Sequence, residues 1–294
     1  ANTHHTAKSY GFKKFATDYN EVVKDGDIDS VVILTPHRLH AKMVIESINA
    51  NKNIFIEKPL CINEKELRNI IDCYSSLTDS GSPTPFLMVG YNRRFSPHAK
   101  RMSDLMNGRQ DPTVINYRVN AGFVPADHWV HSEQEGGSRV IGEICHFVDM
   151  LQFLTGSDPV KVYAERVSGN NNTIVNSDNL AITLKFADGS IGNILYTGSG
   201  DKAFSRERIE VFFDGKTITC DDYRTTVVYD KGKTDKFKTP SQQMGYHQEL
   251  QHFADVITQN KEAQINNYET FLSTLTVFKI NQSLDEGKAV EIKL

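Results

Sequence analysis

The chain has 294 residues, 39% of them hydrophobic and 24% charged, with a formal charge of −4. That is the composition of a water-soluble globular protein with room for two modest domains or one large one. Lysine and arginine form no basic stripe, which argues against a nucleic-acid partner, and no apolar run approaches the ~20 residues needed to span a bilayer.

From residue 6 the chain alternates between helix-like and strand-like segments. A helix ends at Gly11, and Asp18 caps a short helix that the Asp25-Gly26 pair stops. Residues 31–34 are a continuous aliphatic run, as in a strand buried on both faces. A helix over 39–50, a second buried strand over 54–56, a helix over 64–77 capped by Asn63, and a third strand over 86–89 follow. This β-α-β-α-β rhythm predicts a parallel sheet with crossover helices.

Beyond Asn92 the pattern changes. A helix over 97–106 precedes a period-two segment over 113–121. A glycine pair, Gly136-Gly137, leads into a helix over about 138–154 that Gly156 and Pro159 stop. Strands are predicted over 160–166, 180–186, 191–197, 208–213, 217–220 and 225–229, with Asp188-Gly189 and Asp214-Gly215 as hairpin turns. Helices near 243–258 and 269–286 close the chain. The expected class is α/β plus α+β: an incomplete Rossmann-like parallel sheet, then a mostly antiparallel sheet domain packed with helices. The join lies near 91–97, giving domains 1–92 and 93–294. Residues 191–196 are apolar on both faces, which points to a sheet face buried by a second copy in a homodimer or homotetramer. The four cysteines (Cys61, Cys73, Cys145, Cys220) are scattered, with no C-x-x-C, and read as reduced thiols of a cytosolic protein.

Ligands of an open parallel sheet bind beyond the carboxyl ends of its strands. The second strand ends in Glu57-Lys58-Pro59, so Lys58 belongs beside that crevice, where an ammonium can hold a substrate hydroxyl and ease its proton loss. A surface lysine paired with Glu57 is the plain alternative. His37 and His40, and Cys145 beside His146, have near-ligand spacings. Adjacent helical residues point about 100° apart, however, and no metal is expected.

These segments together resemble one family. Glu57-Lys58-Pro59, preceded by Thr35-Pro36-His37-Arg38-Leu39-His40 and followed by Gly90-Tyr91-Asn92-Arg93-Arg94-Phe95, then His128-Trp129, Gly136-Gly137 and His146-Phe147-Val148-Asp149, are similar in kind and order to the glucose–fructose oxidoreductase/inositol dehydrogenase (Gfo/Idh/MocA) family. The resemblance implies an NAD- or NADP-dependent dehydrogenase that moves hydride to or from a hydroxyl carbon of a sugar, polyol or nucleotide sugar. A non-catalytic sugar-binding or regulatory homologue is the alternative. It implies that Lys58 contacts the reacting hydroxyl and His146 acts as general base. It also implies that Thr35, Pro36, His37, His40, Glu57 and Lys58 lie along the cofactor.

Arg93 is expected at the cofactor and Arg94 at the substrate, or both as links between the domains. Tyr91 and Trp129 are expected at the sugar, with Trp129 as core the alternative. The aspartate that many members carry four residues before the histidine is Gly142 here. Glu143 is the candidate substitute, as a third catalytic group, and Asp149 the competing partner of His146. No G-x-G-x-x-G occurs in the 294 residues. The expectation is that the front of the cofactor domain is missing, and that this chain binds cofactor weakly or not at all.

Overall fold

The computed structural model describes residues 2–132, 135–169 and 174–294. Helices α1 (Asn2–Tyr10) and α2 (Tyr19–Lys24) lead into strand β1 (Ser30–Ile33), helix α3 (His40–Asn49), strand β2 (Asn53–Ile56), helix α4 (Glu64–Asp79) and strand β3 (Leu87–Val89). The three strands form a parallel sheet in the order β1-β2-β3. Local chemistry sets the helix starts as read: the Asp18 side chain accepts from the Asn20 amide and that of Asn63 from the Glu66 amide. β2 and β3 are buried on both faces, whereas β1 is an edge strand that leaves Val32 exposed.

After a short 3₁₀ turn over Asn92–Phe95 come α5 (Pro97–Met106), β4 (Val114–Asn120), α6 (Cys145–Thr155), β5 (Pro159–Arg166), β6 (Asn179–Phe186), β7 (Ile191–Thr197) and β8 (Glu207–Phe213). β9 (Lys216–Asp221), β10 (Thr225–Asp230), β11 (Lys233–Lys238), α7 (Tyr246–Gln259), α8 (Asn267–Glu286) and β12 (Val290–Glu291) complete the chain. The second sheet runs β11-β10-β9-β8-β4-β7-β6-β5-β12, antiparallel except where β4 pairs parallel with β7.

Alternation decides which face is covered. Along β7, Gly192, Ile194 and Tyr196 are buried while Ile191 and Leu195 are exposed. α6 and α8 pack on the inner face. There a Cβ at Gly192 would come within 2.7 Å of Leu151, so the helix reaches the sheet only over a glycine. The outer face keeps Val114, Tyr163, Leu195, Phe212 and Tyr229 in solvent. One apolar core runs without a break from the parallel sheet through α6 and α8 to the large sheet.

Two differences from the sequence reading matter. β11 and β12 were not anticipated. More consequentially, the expected single helix over 138–154 opens with a π-helical turn, Val140–Ile144, before α6 begins. π turns are wider than α turns and cluster at functional sites. This one changes what Gly142 and its neighbours face.

Candidate active site

The carboxyl ends of β1, β2 and β3 open toward the π turn and the start of α6. Lys58, just beyond β2, donates a 2.9 Å hydrogen bond from Nζ to the backbone oxygen of Gly142. The alternative, a surface pair with Glu57, is therefore not what anchors it. The widened turn presents a carbonyl across the crevice, and a neutral acceptor leaves the ammonium charge unspent. The peptide joining Lys58 to Pro59 is cis.

His146 stands on the first turn of α6 and is 6% exposed. Its Nδ1 is buried without a hydrogen-bond partner, and the Tyr91 ring backs it edge-on, with centroids 6.4 Å apart. Burial, then the charges of Arg93, Lys58 and Arg206, hold the imidazole well below its ordinary range. It is neutral near pH 7, in the form that accepts a proton. The Lys58 ammonium, just beyond β2, is among the charges that act on this ring at the start of α6.

The remaining predicted residues divide. Thr35 lies at the end of β1 with its hydroxyl 3.4 Å from the Met43 sulfur, and Pro36 beside it is exposed. His37 reaches across the crevice: its Nδ1 meets the Gly136 oxygen at 2.9 Å, and its ring stands edge-on to Trp129 at 5.1 Å. A Cβ at Gly142 would come within 3.2 Å of the His37 ring, which is a physical reason for glycine where an aspartate was expected. Trp129 is 48% exposed, so it belongs to the crevice wall and not the core. Glu57 lies under the end of β3, where a Cβ at Gly90 would approach its carboxylate to 3.3 Å.

Five readings need correction. His40 is fully buried, with Nδ1 2.6 Å from the Pro59 oxygen and Nε2 2.8 Å from the Thr35 oxygen. Both ring nitrogens are spent on tying the β1 and β2 loops together, not on a ligand. Arg93 is buried in a two-pronged pair with Glu207 at 2.7 and 2.9 Å, and Arg94 in one with Asp149 at 2.6 and 3.0 Å. Both are the internal links weighed as their alternative. Asp149 is consequently no partner of His146, because both of its carboxylate oxygens accept from Arg94. The Tyr91 hydroxyl points to Thr274, 3.4 Å away on α8, so only its ring serves the site. Glu143 remains at the crevice, with its carboxylate 3.9 Å from Arg206 and no hydrogen bond to His146.

Arg206 and Tyr196 were not anticipated. Tyr196 is fully buried, its hydroxyl lacks a partner, and the charges of Glu143, Arg139, Asp178 and Arg206 act on it. No motif adjoins Arg206, and only the sheet brings it to Glu143.

This donor set fits the nicotinamide end of a dinucleotide. It offers an apolar strand-end floor, an orphaned imidazole nitrogen and an ammonium held by a single carbonyl. The glycine-rich pyrophosphate cradle has no counterpart among the 294 residues. Among the described residues no group of three or more His, Cys, Asp or Glu side chains is disposed to hold a metal ion, and no helix is long and apolar enough to cross a membrane.

Comparison with known proteins shows the family. Residues 1–79 match the model of the GFO/IDH/MocA oxidoreductase family, NAD-binding Rossmann fold, and residues 111–219 match the GFO/IDH/MocA C-terminal domain. The chain is 23% identical over 295 residues to the myo-inositol 2-dehydrogenase of Thermotoga maritima, covering 96% of this chain and 85% of that protein. It is 25% identical over 305 residues to the NAD(+)-dependent scyllo-inositol 2-dehydrogenase of Bacillus subtilis, covering 97% and 84%. Among solved structures, a levoglucosan dehydrogenase in complex with NADH and levoglucosan superimposes with a TM-score of 0.81 at 21% identity, covering 100% of this chain and 88% of that one. At that identity the match speaks for the fold.

Proposed function

Because the chain belongs to the GFO/IDH/MocA oxidoreductase family, we propose that it is a nicotinamide-dependent dehydrogenase acting on a hydroxyl carbon of a sugar-like substrate. Residues 1–92 serve as the cofactor domain and 93–294 as the substrate and assembly domain. The observation that carries this reading is a shared helix start: Lys58 donates to the Gly142 oxygen, and His146, four residues further along, is buried with its Nδ1 unpartnered. When bound, NAD or NADP supplies the acceptor for the hydride that leaves the carbinol carbon.

The chain's own groups do the rest. Thr35, His37, Glu57 and Lys58 line the nicotinamide end of the crevice. Lys58 donates to the reacting oxygen and stabilises negative charge developing there. His146, neutral at the working pH, takes the hydroxyl proton, and in the reverse direction returns it. Trp129 offers an indole face to the apolar side of a sugar ring. The buried Tyr91 ring excludes water behind the imidazole. Relatives named for inositols support a sugar-like substrate.

The same reading includes assembly. The outer face of the large sheet carries exposed Val114, Leu195, Phe212 and Tyr229 with no helix over it, and a second copy is its occupant, giving a cytosolic homodimer or homotetramer. The test of function is direct. The chain is mixed with a panel of inositols, aldoses and nucleotide sugars and with NAD or NADP raised far enough to offset the weak binding expected without a glycine-rich cradle, and reduced-nicotinamide absorbance is followed. Turnover that disappears in Lys58→Ala is expected. Cofactor and sugar binding without any turnover would instead mark a sugar-binding homologue.

A further inference from the structure

Trp129 and the Lys58–Gly142 contact stand on separate segments, and one buried carboxylate ties the two together. Trp129 opens a short 3₁₀ turn, Trp129–His131. The side chain of His131, which closes that turn, is 12% exposed, its Nε2 is buried without a partner, and its Nδ1 lies 3.8 Å from Asp178 Oδ1. That oxygen is likewise buried and unpaired. The other oxygen of Asp178 accepts from Arg139 Nη1 at 2.9 Å, and the same nitrogen donates to the Gly122 oxygen at 3.0 Å. Arg139 immediately precedes the π turn Val140–Ile144, which carries the Gly142 oxygen that Lys58 meets. The chain needs a hold at this point. Gly137 at φ +74° and Ser138 at φ +97° bring it into the turn through the left-handed region, which a serine keeps only where its surroundings enforce it. Closely fitted backbone seals the pair: the Gly198 amide donates to the Asp178 backbone oxygen at 2.8 Å, and a Cβ on Gly198 would come within 3.2 Å of the Asp178 side chain and 3.5 Å of Arg139.

We infer that Asp178 is a positioning residue: it sets the wall that carries Trp129 against the turn that carries Gly142 and leads into His146. This deepens the dehydrogenase reading and rests on it for the roles of Lys58, His146 and Trp129. One oxygen of Asp178 fixes the entry to the π turn through a charge-assisted bond, worth about twice a neutral one. The other stops short of His131, because 3.8 Å is an ionic contact and not a hydrogen bond. A shift of about 1 Å in the 129–131 turn would close that gap and satisfy a carboxylate oxygen that now stands unpaired. The wall is therefore adjustable where the π turn is fixed. Binding against the indole and the placement of the reacting groups meet at this one side chain.

The experiment uses Trp129, the only tryptophan of the 294 residues, as its reporter. Fluorescence emission and acrylamide quenching are measured on the whole chain and on its variants. His131→Phe removes the wall arm and leaves the Arg139 pair in place. It should shift Trp129 emission with the melting midpoint nearly kept. Asp178→Asn disturbs both arms, and should shift Trp129 emission and move the His146 ring-nitrogen signals in NMR. Asp149→Asn, which strands Arg94 instead, should lower stability but leave Trp129 emission at the wild-type value. Turnover of myo-inositol with NAD gives the second readout. There His131→Phe should raise KM more than it lowers kcat, and Asp178→Asn should lower kcat/KM about a hundredfold, the cost of reacting groups misplaced by about 1 Å. Unchanged emission in His131→Phe, an equal emission shift in Asp149→Asn, or Asp178→Asn at the wild-type kcat/KM would overturn the inference. If Asp178→Asn does not fold, His131→Phe decides alone. Shifts of Trp129 and His146 as described, with no sugar of the panel turned over by the wild type, would remove the dehydrogenase reading and keep the link.

Discussion

Two arginine-rich regions lie within a few residues of each other and are built on opposite terms. Behind the crevice, Arg93–Glu207 and Arg94–Asp149 are buried pairs in which each guanidinium meets its carboxylate with two hydrogen bonds. In the crevice itself, His146 keeps a buried ring nitrogen with no partner. A buried ion pair is costly to break because the survivor's charge is stranded, whereas an orphaned polar group already carries its penalty and stands ready for a ligand. The back of the site is where stability would be lost on mutation, and the front is where activity would be.

That contrast can be broken from either side. Lys58→Ala and His146→Ala should each lower turnover by about a thousandfold, within the range for general acid–base groups and oxyanion-stabilising donors. Both should leave the unfolding midpoint nearly unchanged in thermal melts monitored by circular dichroism. A large loss of stability would place them in the scaffold. Asp149→Asn should do the reverse and cost about 3–5 kcal/mol in denaturant titration, because it strands the buried Arg94 charge. A neutral effect on stability there would erase the distinction between the regions.

A smaller effect is expected at Glu249, on α7. Burial, then the Glu57 carboxylate, push its carboxyl up to about 8. Its folded value thus lies above its unfolded one, so the folded state holds a proton that the unfolded chain releases. Stability is therefore greatest below about pH 4.5 on this account and drains away as pH rises toward 8, to the order of 3 kcal/mol by pH 7. Glu249→Gln should flatten that slope in denaturation curves taken across the interval. An unchanged slope would mean the carboxyl is ionised and paired. The smallest effect belongs to Gly142→Ala. The added methyl would meet the His37 ring at 3.2 Å and should cost about 1 kcal/mol by crowding, measurable in the same titrations.

The scaffold was the more legible region. Aliphatic runs marked β2 and β3, period-two alternation marked β4 to β10, and Asp18, Asn63 and Gly156 act at the helix ends they were assigned. β11 escaped because Lys233–Lys238 is almost wholly polar, as suits a charged edge strand. The parallel pairing of β4 with β7 escaped because alternation carries no direction. At the site, short motifs identified Lys58 and His146. Partners could not be read: Arg93 and Glu207 are 114 residues apart, and only the sheet brings them together. The π turn at Val140–Ile144 has no compositional mark, yet it carries the Gly142 oxygen that Lys58 meets.

The most direct test of convergence is nitrogen-detected NMR titration of His146 in the wild-type chain and in Lys58→Met. The account predicts a ring that stays neutral to well below the ordinary histidine range in the wild type, and a pKa that rises once the ammonium is removed. An imidazole that titrates in the ordinary histidine range and ignores the substitution would contradict it.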